Sequence, residues 1–421
     1  MNACHDLAYS DFGRIIARAS AGTRLPLSGS IELTFKCNLR CVHCYIPDFS
    51  GRDEMSTGEI TRILDEVADA GCLWLLLTGG EVLTRQDFPA IYLHAKQRGF
   101  LVAVFSNGTL FDERVADLFA EWPPFSLEFT LYGMSDETYQ RTTGFPGRFT
   151  RVRRAIELAL DRRLPLALKA VAMDLLVNEI PGMQEYAATI GVPFRYDPTI
   201  HGRLDGSPQP TLVRASPERA VRFDVDDPVR RAEWLEFYRG FVERPAPRDG
   251  RLMSCGAGVN SFHVDPRGRL LTCEALPING YDLRRGSFLE GWNGPLAALT
   301  RRAADSTNVC FQCDLRAMCD RCPATATLET GSPDGWIPWY CEITHRRAAV
   351  LEEESGRPEK AAPLRAHADR VAAGWTPPGA ILPRSPGPRG GCGAGGCATG
   401  CGAGATSTKS MLQIEPPRRA A

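Results

Sequence analysis

Three cysteines stand in one short stretch, Phe35-Lys36-Cys37-Asn38-Leu39-Arg40-Cys41-Val42-His43-Cys44-Tyr45, spaced Cys-x3-Cys-x2-Cys. Thiolates this close converge on a compact metal centre. Their number is informative: a structural zinc site takes four protein ligands, whereas three leave one position open for a substrate or cofactor. Seven more cysteines follow as Cys255-x12-Gly268-x4-Cys273, Cys310-x2-Cys313-x5-Cys319-x2-Cys322 and Cys341. Two Cys-x2-Cys pairs signal a metal by themselves, with a zinc ribbon and iron–sulfur ligation both open. Seven thiols exceed one four-ligand site and fall one short of two. Cys392, Cys397 and Cys401 lie in a tail segment made almost wholly of Gly, Ala, Cys and Thr. Cys4 and Cys72 have no partner spacing, and Cys72, at the head of an apolar run, reads as a buried small hydrophobe.

The whole chain sets the context. Its 421 residues suffice for two packed cores. Lys plus Arg number 49 and Asp plus Glu 50, which argues against a globally basic nucleic-acid binder. A content of 43% apolar and 24% charged residues is that of a folded protein. The longest apolar run, Cys72 to Leu77, is too short for a bilayer. Met1 to Ile15 carries Asp6 and Asp11 and no apolar core of a signal peptide, so the expected location is cytoplasmic. In that compartment 15 cysteines read as metal ligands before they read as disulfides.

The elements that must position these thiols alternate. Apolar runs at Ile31–Phe35, Leu73–Leu77, Leu101–Phe105, Phe125–Leu131, Leu166–Met173 and Val192–Tyr196 predict strands. Helical patterns lie between them, over Ser56–Ala70, Arg85–Arg98, Asp112–Glu121, Arg151–Arg162 and Glu179–Ile190. The first has a capping box, Ser56 with Glu59, and a stripe of Ile60, Ile63, Leu64 and Val67. Six β/α repeats argue an α/β fold with a parallel sheet, and a partial (β/α)6 barrel rather than the full eight repeats, which need ~250 residues. The expected organisation is an N-terminal extension (1–29), the barrel (30–203), a connector (204–254), a small Cys-rich domain nucleated by metal (255–350) and a Pro/Gly/Cys-rich flexible tail (351–421). Asp265-Pro266-Arg267-Gly268 predicts a hairpin turn that places Cys273. The first cysteine trio directly follows strand one, at the strand end where open parallel sheets bind ligands.

On these residues the chain resembles the radical S-adenosylmethionine (SAM) enzymes. The resemblance implies a [4Fe–4S] cluster on Cys37, Cys41 and Cys44, with S-adenosylmethionine chelating the fourth iron. Gly79-Gly80-Glu81, after strand two, resembles the motif that meets the methionyl amine: glycines permit close backbone approach and a carboxylate accepts from an ammonium. Ser106-Asn107-Gly108-Thr109, after strand three, resembles the contact region for ribose and carboxylate, and Thr130-Leu131-Tyr132-Gly133 sits where the family often has a serine-containing turn. His43 occupies the position before the last cysteine whose ring or backbone lies near adenine. The matching stretch is about Ser30 to Ile200.

The seven later cysteines resemble the SPASM extension, which implies two auxiliary [4Fe–4S] clusters. They depart from it in one spacing, x2 between Cys319 and Cys322 where x3 is frequent. The implied sets are Cys255, Cys273 and Cys322 for the first, one ligand short, and Cys310, Cys313, Cys319 and Cys341 for the second. Water, another side chain, a substrate or a tail cysteine are the candidates for the missing ligand. The tail itself reads as an incidental extension, as a ligand donor or as an attached peptide substrate.

The expected function is reductive cleavage of S-adenosylmethionine to a 5′-deoxyadenosyl radical that abstracts hydrogen from a peptide or protein, as in ribosomal-peptide maturation. A small-molecule enzyme, for example one altering tetrapyrrole side chains, and a non-catalytic metal-binding or sensing module are the alternatives. The implied partners are a peptide or protein substrate, a reductant such as ferredoxin or flavodoxin and a separate leader-peptide-binding protein, with no nucleic acid and no membrane.

Overall fold

A computed structural model describes residues 9–20, 22–243, 250–278 and 280–384. The tail cysteines and Cys4 lie outside them. A helix α1 (Tyr9–Ala19) precedes the expected alternation: β1 (Ser28–Glu32), α2 (Thr57–Asp69), β2 (Trp74–Thr78), α3 (Phe88–Gln97), β3 (Leu101–Ser106), α4 (Glu113–Glu121), β4 (Ser126–Leu131), α5 (Asp136–Thr143), α6 (Arg148–Asp161), β5 (Leu166–Val171), α7 (Ile180–Thr189) and β6 (Phe194–Asp197). Strands β1 to β6 pair in sequence order, all parallel, as an unclosed barrel. Helix α2 begins with the Ser56/Glu59 capping box, and its stripe of Ile60, Ile63, Leu64 and Val67 is fully buried.

Strand β1 begins three residues before the apolar run that announced it. Its inward positions are Ser28, Ser30 and Glu32, which are polar, and only Ile31 faces the helices with Leu33 beyond it. Apolar runs mark the helix-facing side of this barrel; the inner face is apolar on β2 and β3, with Trp74, Leu76 and Ala103, and carries charged residues on β1, β4, β5 and β6. Ser30, Glu32, Phe105, Glu128, Lys169 and Arg195 share that inner face by register. Cys72 is 7% exposed within the main core, as its sequence context predicts.

The sheet runs on past the boundary expected at 255. Strand β7 (Ser261–Val264) pairs parallel with the free side of β1, and β8 (Arg269–Leu271) and β9 (Tyr281–Asp282) continue antiparallel. An open β1 edge would leave its backbone groups unpaired, and β7 covers it. The Asp265–Gly268 hairpin turn is present, with Asp265 Oδ1 accepting from the Arg267 and Arg269 amides at 3.0 and 2.9 Å.

The region read as a connector holds α8 (Pro217–Val225) and α9 (Pro228–Glu243). Both pack on the later helices: Val221 meets Ile343, and Tyr238 meets Met318 and Leu351. The Cys-rich region contains α10 (Pro323–Thr330) and α11 (Pro338–Glu354). The expectation of a flexible tail from 351 is corrected over its first part. Helix α12 (Pro358–Ala372) lies against α11, with Ala361, Ala368 and Val371 buried. Its buried face is mostly alanine, so its composition resembles a linker although its packing is that of a helix. Residues 375–384 then run back over the Cys-rich region, where Trp336 N donates to Ile381 O at 2.8 Å and Arg384 N to Glu329 O at 2.8 Å.

Candidate active site and metal centres

The loop after β1 carries Cys37, Cys41 and Cys44 toward one another. It is pinned from below by α5, where the Arg40 and Val42 amides donate to Thr143 O and Thr142 O at 2.8 and 3.0 Å. Burial above all, with the charges of Glu81 and Cys44 facing it, pushes the Cys37 thiol up to about 12. Burial also raises Cys41 and Cys44, and the charge of Cys44 adds to the rise at both Cys37 and Cys41. Three half-buried thiols that resist ionisation alone are a donor set that a cation or metal cluster would satisfy. The Leu39 amide at 3.4 Å and Asn107 Nδ2 at 3.8 Å point at Cys37 Sγ.

The Gly79-Gly80-Glu81 turn packs against this loop. A Cβ on Gly79 would lie 2.6 Å from Thr34 O, and one on Gly80 would lie 2.4 Å from Lys36 O. The glycines thus serve a close approach of the chain to itself: Gly80 N donates to Thr34 O and Glu81 N to Lys36 O at 2.7 and 2.9 Å. Glu81 is buried and accepts from Ser106 Oγ (2.8 Å) and from the Asn107 and Leu83 amides (2.7 and 3.1 Å). Burial raises its carboxyl pKa, and these bonds oppose the shift. Asn107 in turn bonds Asn38 Oδ1 and Thr109, so the turns after β1, β2 and β3 form one polar lattice. Thr130 ends at the rim of β4, 9% exposed. His43 is not beside it but rests on the ring of Tyr132, centroids 5.6 Å apart, with Nδ1 buried and unpartnered; burial brings its pKa down to about 4.

Several residues of the site are absent from the motifs. The Tyr132 phenol bonds the Cys41 thiol. On the inner face, Tyr45 Oη donates to Glu32 Oε1 at 2.5 Å, Ser30 Oγ meets His263 Nδ1 at 2.8 Å, and His263 Nε2 lies 3.5 Å from Glu32 Oε2. Lys169 Nζ sits 3.1 Å from the centre of the Phe105 ring and 3.8 Å from Glu128, which also pairs with Arg195. Burial brings the Lys169 ammonium down to about 7 against the pull of Glu128. Burial raises the carboxyl pKa of Glu274, next to Cys273, and the charges of Glu32, His263, His201 and Lys169 reach it. A polar group therefore joins Tyr45, beside Cys44, to Glu32, His263 and Ser30, and its charges reach Glu274, beside Cys273. Its signal in the sequence was polar residues at alternate positions inside parallel strands, which ordinarily read as continuous apolar runs.

The seven later cysteines line one cavity of about 540 Å³ with largely apolar walls. Cys273 feels Cys322 and Cys255; Cys341 feels Cys319, Cys313 and Cys310. Cys322 also caps α10, its Sγ accepting from Thr325 N at 3.4 Å. His345 and His367 stand beside Cys341, with their ligand atoms and its sulfur within 4.8 Å of one another. Both histidines escaped the sequence reading, since His367 belongs to α12.

Comparison with known proteins places this geometry. Residues 31–179 match the Radical SAM superfamily. The chain is 27% identical over 335 residues to the AdoMet-dependent heme synthase of Methanosarcina barkeri, covering 74% of this chain and 95% of that one. It is 26% identical over 351 residues to the PqqA peptide cyclase of Xanthomonas euvesicatoria, covering 80% and 94%. Among solved structures, Streptococcus suis SuiB bound to precursor peptide SuiA superposes with a TM-score of 0.59 at 15% identity, over 79% of this chain and 82% of that one. Native anSMEcpe with bound AdoMet superposes with 0.57 at 15% identity, over 82% and 100%. The cysteine trio behind β1 and most of the unclosed parallel barrel thus lie in a stretch, residues 31–179, that carries a Radical SAM superfamily domain.

Proposed function

We propose that the chain is a peptide-modifying radical S-adenosylmethionine enzyme with two auxiliary cluster sites. The observation that carries this reading is the cysteine trio behind β1, held against the Glu81–Asn107 lattice, together with seven further cysteines around one cavity. Its cofactors are [4Fe–4S] clusters and S-adenosylmethionine, which when bound together supply a carbon radical able to take hydrogen from an unactivated C–H bond. Cys37, Cys41 and Cys44 would hold the first cluster, and Cys310, Cys313, Cys319 and Cys341 a complete auxiliary one. Cys255, Cys273 and Cys322 would hold the other, with its fourth position outside this trio. The thiols fit such groups: all but Cys255 are half-buried, and burial makes Cys37, Cys41, Cys44, Cys273, Cys310, Cys319 and Cys341 costly to ionise alone.

The chain's own residues supply position and shelter. Glu81, Ser106, Asn107 and Thr109 would orient the cofactor's polar end, with Gly79 and Gly80 keeping that turn against the cysteine loop. His43 and Thr130 would border its base and sugar. Lys169 and Arg195 present cations on the inner face, and Glu128, Glu32 and Glu274 present acceptors, so a substrate is held by polar groups at fixed places and water is kept from the reacting carbon. Peptide action is supported by the PqqA peptide cyclase and by the SuiB–SuiA complex. The heme synthase relative supports a second reading, a tetrapyrrole whose carboxylates would meet Lys169 and Arg195. We also assign the enzyme to the reducing cytoplasm, with ferredoxin or flavodoxin as electron donor and a leader-peptide-binding partner. None of the described helices is long and apolar enough to cross a membrane.

The deciding experiment is anaerobic reconstitution, reduction, and mass spectrometry of turnover mixtures containing either short peptides encoded beside the gene or an iron porphyrin. A mass change in a peptide with matching 5′-deoxyadenosine supports the first reading. Change confined to the porphyrin replaces it with the second.

A further inference from the structure

The second auxiliary site has a wall that the cysteine pattern does not announce. Helix α12 places His367 with Nε2 3.5 Å from Cys341 Sγ. The ring is fixed on both faces and along its edge. It stacks on His345 at 4.0 Å and meets Trp375 edge-on at 5.3 Å. Arg370 Nη2 lies 3.4 Å from its Nδ1. A guanidinium can only donate, so Nδ1 accepts and the imidazole proton sits on Nε2, facing the sulfur. His345 is committed differently. Its Nδ1 lies 2.7 Å from Cys341 O, a carbonyl that can only accept, so that nitrogen carries its proton and gives it to the backbone.

Two roles are open to a Cys–His–His trio. As a mononuclear metal site it would need a lone pair from each histidine. The nitrogens nearest the sulfur, His367 Nε2 and His345 Nδ1, both carry protons, so this arrangement offers Cys341 Sγ an N–H donor. We infer that His367 is a positioning residue that hydrogen-bonds the Cys341 sulfur and sets the reduction potential of the auxiliary cluster held by Cys310, Cys313, Cys319 and Cys341. This rests on the cluster assignment made above. An N–H donor draws charge from a thiolate ligand and stabilises the reduced cluster more than the oxidised one, so it raises the potential. Arg370 fixes the tautomer, and Trp375 fixes the ring.

The test uses the full-length enzyme, purified anaerobically and titrated potentiometrically with electron paramagnetic resonance as readout. Cys341→Ala identifies which signal belongs to this cluster. His367→Leu should move that signal to a more negative potential and alter its line shape, with iron per chain unchanged. His367→Gln, which keeps an N–H donor, should move it back toward wild type. Arg370→Met should shift it the same way by less, and decides the matter if His367→Leu loses the cluster. A wild-type potential in both His367→Leu and Arg370→Met overturns the inference. Stoichiometric zinc bound by the wild type and lost in His367→Leu overturns it in favour of a mononuclear site. A wild type in which Cys341→Ala removes no iron–sulfur signal overturns the four-cysteine assignment itself, a result distinct from an intact signal that ignores His367.

Discussion

The barrel and the Cys-rich region are held together by different means. Behind β1 to β6 lies one continuous core, in which Ile31, Leu77, Val102, Leu127, Phe129 and Leu168 are all 0 or 1% exposed. Phe262, Val264, Leu270, Phe288 and Trp292 extend that core, whereas the described residues around the later cysteines form small separate clusters, such as Leu252, Met253, Leu276 and Leu328, and the cysteines border a cavity. Apolar burial can order the first region unaided, whereas the second has too little of it and relies on what its thiols hold. The sharpest way to break this contrast is to remove the iron. Hydrogen exchange read by mass spectrometry should show wholesale loss of protection over 310–345, while β2 to β5 stay protected. Equal loss in both regions would mean that the barrel too depends on metal.

Core truncation probes the same contrast at lower amplitude. Leu77→Ala opens a void in the main core and should cost about 3–5 kcal/mol. Leu276→Ala, beside Cys273 at the edge of a small cluster, should cost about 2 kcal/mol in the iron-loaded protein. Denaturant unfolding of each variant measures both numbers; a Leu276→Ala cost as large as that of Leu77→Ala would give the Cys-rich region a core of its own.

What could be read from the chain follows the same division. The six strands and five of the barrel helices announce themselves because one side of each is apolar with a regular period, as Ile60, Ile63, Leu64 and Val67 do. Helix α5 was missed because its buried residues include Thr138, Thr142 and Thr143, which carry no apolar signal. The cysteine trio and the Cys-x2-Cys pairs are legible from spacing because ligand spacing is local, whereas their division into ligand sets is only what the family resemblance implies. What lay beyond reach was long-range. Strand β7 returns to β1 across more than two hundred residues, and α12 brings His367 to Cys341 from a stretch whose alanines and prolines look like linker. The inner face was half legible: Glu32, Glu128 and Lys169 stand at alternate positions in otherwise apolar strands, but which of them meet depends on register and on Glu274 arriving from elsewhere.

That inner face is the electrostatically unfavourable part of an otherwise apolar barrel, and Lys169 reports on it. Its folded pKa is down at about 7, below the unfolded value, so between about 7 and 10.5 the unfolded chain holds a proton that the folded chain has released. Raising the pH through that window removes this pull toward unfolding, and barrel stability should rise; below about 7 both states are protonated and the penalty is constant. Comparison with Lys169→Met isolates the contribution. The wild type should gain stability relative to the variant from pH 7 to 9, on the order of 2 kcal/mol. Parallel curves would mean that Lys169 keeps an ordinary pKa in the folded barrel.

The smallest predicted effects come from two helix caps of the same design, one in each region. Helix α2 starts with Ser56 and Glu59, whose side chains each bond the other's amide. Helix α10 starts with Cys322 and Thr325 in the same reciprocal pattern, a thiol replacing the hydroxyl. Glu59→Ala removes half of the first box and should cost about 0.5–1 kcal/mol, equally with and without iron, because nothing at α2 depends on a metal. Thr325→Ala removes half of the second, and its cost should depend on iron. In the iron-free protein α10 belongs to the region that has already lost its order, so the global unfolding of the barrel should not change. In the loaded protein, if Cys322 is a ligand as proposed, the box would hold its sulfur in place for the cluster, so its loss should speed the release of iron to a chelator by a few fold, the equivalent of about 1 kcal/mol. An iron-independent cost at Thr325 matching that at Glu59 would show that α10 folds with the barrel, and the division between the two regions would have to be drawn after α10, not before it.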